Sequence, residues 1–210
     1  MIEQGSKEWL ELRLGKLTAS RMADVLATTK SGPSASRKNY LAQLVAERLT
    51  GDVAEMYNNS AMAWGTEHEP LARAEYEILH NTSVDQAAFV DHPRVSMCGA
   101  SPDGLVIDGG LVEIKCPNTA THIEYLLGQK PPAKYIPQMA LQLSCTGRKW
   151  CDFVSYDPRM SDEFKLLVIR YEPTAEYLEM VEKEATLFLA EVEETICRLT
   201  NLYQPHKKAA

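Results

Sequence analysis

Asp103, Glu113 and Lys115 are the side chains in this sequence whose types and spacing can do chemistry. They lie in Ser101-Pro102-Asp103-Gly104, an apolar run Leu105-Val106-Ile107, an Asp108-Gly109-Gly110 turn, and a return run Leu111-Val112-Glu113-Ile114-Lys115-Cys116. Successive side chains of a strand point to opposite faces, so Glu113 and Lys115 share one face and Val112 and Ile114 the other. Asp108-Gly109-Gly110 accepts the positive φ that a tight hairpin needs, and the return brings Asp103 near Glu113. Two carboxylates and the main-chain carbonyl of Ile114 are the hard oxygen donors that Mg²⁺ prefers. Lys115 beside them can hold a water and assist its deprotonation, while the ion stabilises charge on a phosphate under in-line attack. That is the chemistry of phosphodiester hydrolysis. Taken singly, Pro102-Asp103-Gly104 also reads as an ordinary turn, and Glu113-Ile114-Lys115 as the exposed charges of an edge strand. Their joint placement across one hairpin is what points to a metal site.

The flanking periodicity supplies the elements that must hold this hairpin. Trp9, Leu10, Leu12 and Leu14 surround Arg13 in the opening segment. Met22, Val25 and Leu26 then step at helical spacing, with Thr18 or Ser20 expected as the cap. Residues 28–36 are rich in Gly, Ser and Pro and predict a flexible loop around Lys30. Ser36 is expected to cap a helix bearing Tyr40, Leu41, Leu44, Val45 and Leu49, ended by Gly51 in a left-handed cap. A third helix is predicted over residues 60–79 with Glu67, His68 and Glu69 near its middle, and with a kink or restart at Pro70. Residues 84–90 and 95–100 are strand-like, which with the hairpin makes four successive β segments, the last ended by Pro117. A short helix over 119–127 precedes another over 136–145, where Gln138 and Gln142 fall one turn apart on one face. Residues 149–156 and 164–171 predict two more strands around Asp157-Pro158. Over 174–199, Leu178, Val181, Ala185, Phe188, Leu189, Val192, Ile196 and Leu199 form one apolar stripe, the signature of a long core-packing helix rather than a coiled coil. The sum is a mixed α/β layer fold.

Composition sets the outer bounds. At 210 residues, 45% hydrophobic and 24% charged, the sequence reads as one globular domain spanning 1–210, with no apolar run approaching a membrane span. Charged residues interrupt the first segment, so no targeting peptide is expected and the default compartment is the cytoplasm. The five cysteines form no close pair with one another or with the scattered histidines, which argues for reduced thiols and against structural zinc. A net charge of −7 excludes a protein that coats nucleic acid with its whole surface. It permits a local basic lining, for which Arg13 to Arg21, Lys30 to Lys38 and Lys130 to Lys134 are candidates, although each cluster alone reads as a solvated face.

Ser101-Pro102-Asp103-Gly104 with Glu113-Ile114-Lys115-Cys116-Pro117 resembles the signature of the restriction-endonuclease-like PD-(D/E)xK nucleases, and within them the lambda exonuclease (YqaJ) branch of viral alkaline exonucleases. Arg13-Leu14-Gly15, Thr18-Ala19-Ser20, Ala63-Trp64-Gly65 with Glu69, Pro137-Gln138 and Tyr156-Asp157-Pro158-Arg159-Met160 resemble that branch in the same order. The resemblance implies a restriction-endonuclease-like core, a mixed β-sheet flanked by helices with a long C-terminal helix. It implies a Mg²⁺-dependent, processive 5′-to-3′ exonuclease with a two-metal site in which Mn²⁺ can substitute. Asp103, Glu113, Ile114 and Glu69 would bind metal, Lys115 would handle the nucleophilic water, and Gln138 would orient substrate or water. Arg13, Thr18 and Ser20 would form a pocket for the 5′-terminal phosphate, since a guanidinium fork suits a phosphate. Lys30 stands where the family adds a loop arginine to that pocket. The implied partners are double-stranded DNA ends, a single-strand annealing protein and two further copies in a homotrimer ring, in a phage- or prophage-encoded protein acting in the bacterial cytoplasm. The alternatives are an endonuclease or branched-DNA nuclease of the same superfamily, and a non-catalytic DNA-binding or assembly module.

Overall fold

In the computed structural model, which describes residues 2, 4–53 and 60–203, short strands are threaded between helices. The chain opens with α1 (Lys7–Arg13), capped by the Ser6 hydroxyl, then β1 (Leu17–Thr18) and a 3₁₀ turn (Ala19–Arg21) running into α2 (Met22–Leu26). A ribbon of β2 (Thr28–Thr29) and β3 (Gly32–Pro33) leads to α3 (Ala35–Thr50) and, beyond the undescribed segment, α4 (Ser60–His80). Five short strands follow: β4 (Val84–Asp85), β5 (Val90–Asp91), β6 (Cys98–Ala100), β7 (Gly104–Val106) and β8 (Leu111–Lys115). Helices α5 (Thr119–Gly128) and α6 (Ile136–Thr146) precede β9 (Cys151–Tyr156), β10 (Leu166–Tyr171) and the long α7 (Ala175–Tyr203).

The main sheet has the order β10-β9-β8-β7-β4, and a smaller sheet the order β1-β6-β5. Within the main sheet, β8 runs parallel to β9 and antiparallel to β7. A parallel pair needs a crossover, and α5 and α6 provide it. The sheet is therefore mixed, flanked by helices, with the long C-terminal helix that the resemblance implies.

Three apolar clusters hold these layers together. The α7 stripe, through Val181, Ala185, Phe188, Leu189 and Val192, packs on Tyr40 and Leu44 of α3 and Leu141 of α6. Ala72 and Tyr76 of α4 cover Val112 and Ile114, one face of β8. Met139 and Leu143 of α6 cover Leu111 and Phe153 on the other. Alternation along β8 thus sends Glu113 toward α6. Fully burying one large aliphatic or aromatic side chain contributes roughly 1.5–3 kcal/mol, so the helices that border the active strand are firmly seated.

Several local expectations are corrected. Ser34, rather than Ser36, caps α3 by accepting from the Arg37 amide, while Gly51 closes it at φ 76° as expected. Neither Thr18 nor Ser20 caps the helix after it: Thr18 is extended and makes no capping hydrogen bond, and its hydroxyl lies 3.3 Å from that of Ser20 instead. Helix α4 passes through Pro70 without restarting, because Pro70 and Thr66, whose carbonyl loses its donor, both face solvent. The segment expected as a loop around Lys30 folds on itself as the β2–β3 ribbon. The strand-like stretch 84–90 is split into β4 and β5, which belong to different sheets. Among the described residues no helix is long and apolar enough to cross a membrane.

Candidate active site

The β7–β8 hairpin forms with Gly104 opposite Val112 and a turn in which Gly109 takes φ 90°. Gly104 has to lack a side chain, because a Cβ there would overlap Val84 and Val112. Asp103, immediately before β7, accepts the Ile114 amide at 2.7 Å through Oδ2. This bond crosses the hairpin and fixes Asp103 against the strand that carries Glu113, as the turn chemistry predicts.

Glu113 is fully buried, with an exposure of 0%. A buried carboxylate must be hydrogen-bonded or paired, and this one is both. Gln138 donates to Oε1 at 2.6 Å and Gln142 donates to Oε2 at 2.7 Å, one helical turn apart on α6. Lys115 pairs with Glu113 Oε1 and lies 3.9 Å from Asp103 Oδ2. Glu69 comes from α4, where Arg73 one turn on pairs with it at 2.7 Å.

Electrostatic coupling shows how close these groups stand. Burial and then the Glu113 carboxylate push the Asp103 carboxyl well above its ordinary value, with Lys115 drawing it back. Burial raises Glu69 as well, against Arg73 and Lys115. Burial also presses the Lys115 ammonium down, but Glu113 and Asp103 outweigh it and hold Lys115 above the usual lysine value. Three carboxylates thus face two cations, Arg73 on Glu69 and Lys115 on both Glu113 and Asp103, a surplus of negative charge that a further cation would relieve.

The donors are all oxygen, the chemistry of a hard divalent ion. Among the described residues no three His, Cys, Asp or Glu side chains form a ready-made cage. Mg²⁺ does not ask for one: it takes one or two carboxylates and completes its shell with water and phosphate oxygens. Among the described residues Asp103 keeps Oδ1 without a hydrogen bond, and the Ile114 carbonyl belongs to the strand whose amide Oδ2 accepts. The residues present fit a divalent ion.

A cleft of about 580 Å³ opens over this group, lined by Glu69, Ile114, Lys115, Trp64 and Arg159. A second cavity of about 390 Å³ adjoins it, and Met62 lines both. Arg13, Thr18 and Ser20 meet in this second cavity. Arg13 donates to the Ser101 hydroxyl at 3.3 Å and stacks 3.9 Å from the Trp9 ring centroid. Burial pushes its pKa down to about 10, which leaves it charged at neutral pH. Lys30 is not brought here; it stands exposed at the tip of the β2–β3 ribbon and does not line the cavity.

Residues that sequence reasoning did not assign also emerge. Ser101 ties Arg13 to the hairpin, since its hydroxyl accepts from Arg13 and it lies two residues before Asp103. Gln142 grips the second oxygen of Glu113, a role hinted at by its spacing from Gln138. Ser101 offered no comparable signal, because its partners Trp9 and Arg13 are remote in sequence.

The mixed sheet with its flanking helices and a carboxylate-lysine hairpin defines a restriction-endonuclease-like α/β core. Residues 8–149 match the YqaJ-like viral recombinase domain, and the chain belongs to that family. It is 48% identical to LHK-Exo, an alkaline exonuclease from Laribacter hongkongensis, across 95% of this chain and 99% of that one. The TM-score is 0.89 to the LHK-Exo structure in complex with dAMP. A phage related exonuclease from Haemophilus somnus 129PT, 12% identical, shares the fold at a TM-score of 0.71 over 88% of this chain and 96% of that one. An uncharacterised protein, R354, of Acanthamoeba polyphaga mimivirus is 27% identical over 165 residues, 72% of this chain; the chain spans 29% of that relative's length.

Proposed function

We propose that this chain is a Mg²⁺-dependent exonuclease that digests the 5′-ended strand of linear duplex DNA processively and leaves a 3′ single strand for an annealing partner. Family membership and the likeness to an alkaline exonuclease support a nuclease of this kind. The observation that supports the finer reading is the junction of the two cavities: a carboxylate-lysine cluster at one, an arginine without an ion pair among the described residues in the other, Met62 lining both, and Ser101 joining Arg13 to the hairpin. A 5′-phosphate bound by Arg13 and Ser101, with Thr18 and Ser20 beside it, would lay the adjoining phosphodiester toward Asp103.

Asp103, Glu113 and the Ile114 carbonyl would hold the first Mg²⁺, with Mn²⁺ as a substitute, and Glu69 would support a second. The ion supplies Lewis-acid stabilisation of charge developing on the phosphate. Gln138 and Gln142 hold the Glu113 carboxylate in one orientation, so its oxygens need not reorganise during the reaction. Lys115, charged and fixed beside Glu113, donates hydrogen bonds to the attacking water and to the phosphate. Arg13 offers a planar fork to the terminal phosphate. A homotrimer ring with DNA in its hole would reconcile a net charge of −7 with DNA binding, by placing basic residues inside and acidic ones outside.

A time course on end-labelled linear duplex, with and without Mg²⁺, tests the reading. Release of mononucleotides from the 5′ end only with the ion is expected, with a closed circular plasmid untouched. Nicking of the plasmid would move the assignment to an endonuclease, and no Mg²⁺-dependent hydrolysis of either substrate would overturn it.

A further inference from the structure

Arg159 belongs to the Tyr156-Asp157-Pro158-Arg159-Met160 segment, which the metal site and the Arg13 pocket leave without a task. Its guanidinium lines the same cleft as Lys115 and Glu69, yet it is fixed from three sides. Asp157, fully buried, accepts from Arg159 Nε at 2.6 Å and from Nη2 at 3.1 Å, and its Oδ1 also accepts the Arg159 amide at 3.0 Å. The Pro117 carbonyl, two residues beyond Lys115, accepts from Nη2 at 3.1 Å. The Trp64 ring, on the helix that carries Glu69, lies 4.6 Å from the guanidinium carbon.

These contacts use the Nε and Nη2 edge and leave Nη1 without a hydrogen bond among the described residues, on a side chain that is 45% exposed. A guanidinium anchored in this way loses little conformational freedom when it binds, because its fork is already oriented. Trp64, which also lines this cleft, keeps its Nε1 buried, so of these two residues the accessible donor is the Arg159 fork. A guanidinium edge without an acceptor among the described residues, in a cleft that would receive DNA, calls for an anionic oxygen ligand.

We infer that Arg159 is a substrate-positioning residue whose Nη1 edge, held in place against the Trp64 ring, grips one backbone phosphate of the strand being digested, near the phosphodiester that is cut. The inference rests on the nuclease reading above. The same contacts tie the exit of β8 to the start of α4, so Arg159 sets the distance between the strand bearing Lys115 and the helix bearing Glu69 while it holds the substrate.

The test compares wild type, Arg159→Met and Arg159→Lys on linear duplexes that each carry one neutral methylphosphonate at a different position near the 5′ end. For wild type, one position is expected to raise KM about tenfold, the size of one lost charge-assisted hydrogen bond. Arg159→Met should show that same rise on unmodified duplex and be indifferent to the modification at that position, with kcat changed far less. Arg159→Lys, which keeps the charge without the anchored fork, should remain sensitive at that position with an intermediate KM, and it carries the comparison should Arg159→Met fail to fold. If either variant loses kcat and keeps the full wild-type pattern of sensitivity, or if Arg159→Met matches wild type throughout, this inference is overturned alone. A wild type inert on every duplex with Mg²⁺ overturns the nuclease reading and this inference with it.

Discussion

In the candidate catalytic cleft Glu113, Asp103 and Lys115 lie within a few ångströms of one another, whereas in the adjoining cavity Arg13 meets a hydroxyl at 3.3 Å and a tryptophan ring, with Glu47 acting on it without an ion pair among the described residues. The first arrangement is held together from within: Lys115 faces both Asp103 and Glu113, Arg73 pairs with Glu69, and α6 adds two amides to keep Glu113 in place. Such a cluster holds its shape before substrate arrives, which is what preorganised chemistry requires. The second arrangement is open. A half-buried arginine that, among the described residues, makes no ion pair is poised for an anion from outside. On the proposed reading the two cavities divide the work, one acting on the bond and the other finding the end of the strand.

The division is most severely tested by Lys115→Ala. It should fold and still bind duplex ends, yet lose nucleotide release by about 10³-fold, the scale of a lost proton-handling and charge-stabilising group. Substantial release in that variant would remove Lys115 from the chemistry. Gln142→Leu keeps volume but takes one amide from Glu113; Mg²⁺ affinity or rate should fall by about 10- to 100-fold, as for other groups that orient a metal ligand. Titration of Mg²⁺ against activity measures this, and an unchanged curve would show that Gln138 alone suffices. In the other cavity, wild type should digest a 5′-phosphorylated end about tenfold faster than a 5′-hydroxyl end, and Arg13→Ala should erase the difference while leaving internal steps of digestion intact. Equal rates on the two ends in wild type would dissolve the distinction between the cavities.

The smallest effect comes from His92, which lines neither cavity. His92 Nδ1 accepts the Arg94 and Val95 amides at 3.1 and 3.0 Å, so the folded state needs the ring neutral. Burial pushes its pKa down, and Glu182 only partly opposes this. The unfolded chain, with an ordinary value of about 6.5, therefore binds the proton more readily, and stability is fully present above about pH 6.5 and lost as pH falls through the folded-state value. Thermal melts should drop by a few degrees on acidification across that window, and by less in His92→Asn. Identical pH slopes in the two proteins would take His92 out of the account.

What was legible in the sequence follows from the range over which each signal acts. The α7 stripe repeats every three or four residues, so the helix could be read directly; Gln138 and Gln142 were likewise placed on one face by their spacing. The approach of Asp103 to Glu113 was readable because one hairpin spans both. The contact of Ser101 with Arg13 is not legible, although Arg13 itself is a candidate from the sequence, since it joins α1 to a segment 88 residues away, which no local pattern encodes. The ribbon at 28–33 was read as a loop because Gly32 and Pro33 also mark turns. Pro70 misled for a related reason: its cost depends on whether the freed carbonyl reaches water, a property of the surface and not of the helix.

The parallel pairing of β8 with β9 has a kinetic consequence. The strand bearing Glu113 gains its partner only after the whole α5–α6 crossover has docked, and contacts that close long loops form slowly. The same docking delivers Gln138 and Gln142 to Glu113. Enzymatic competence is thereby timed to the completion of the fold, and the hairpin cut out as a peptide would carry its charged residues without the partners that make burying them tolerable.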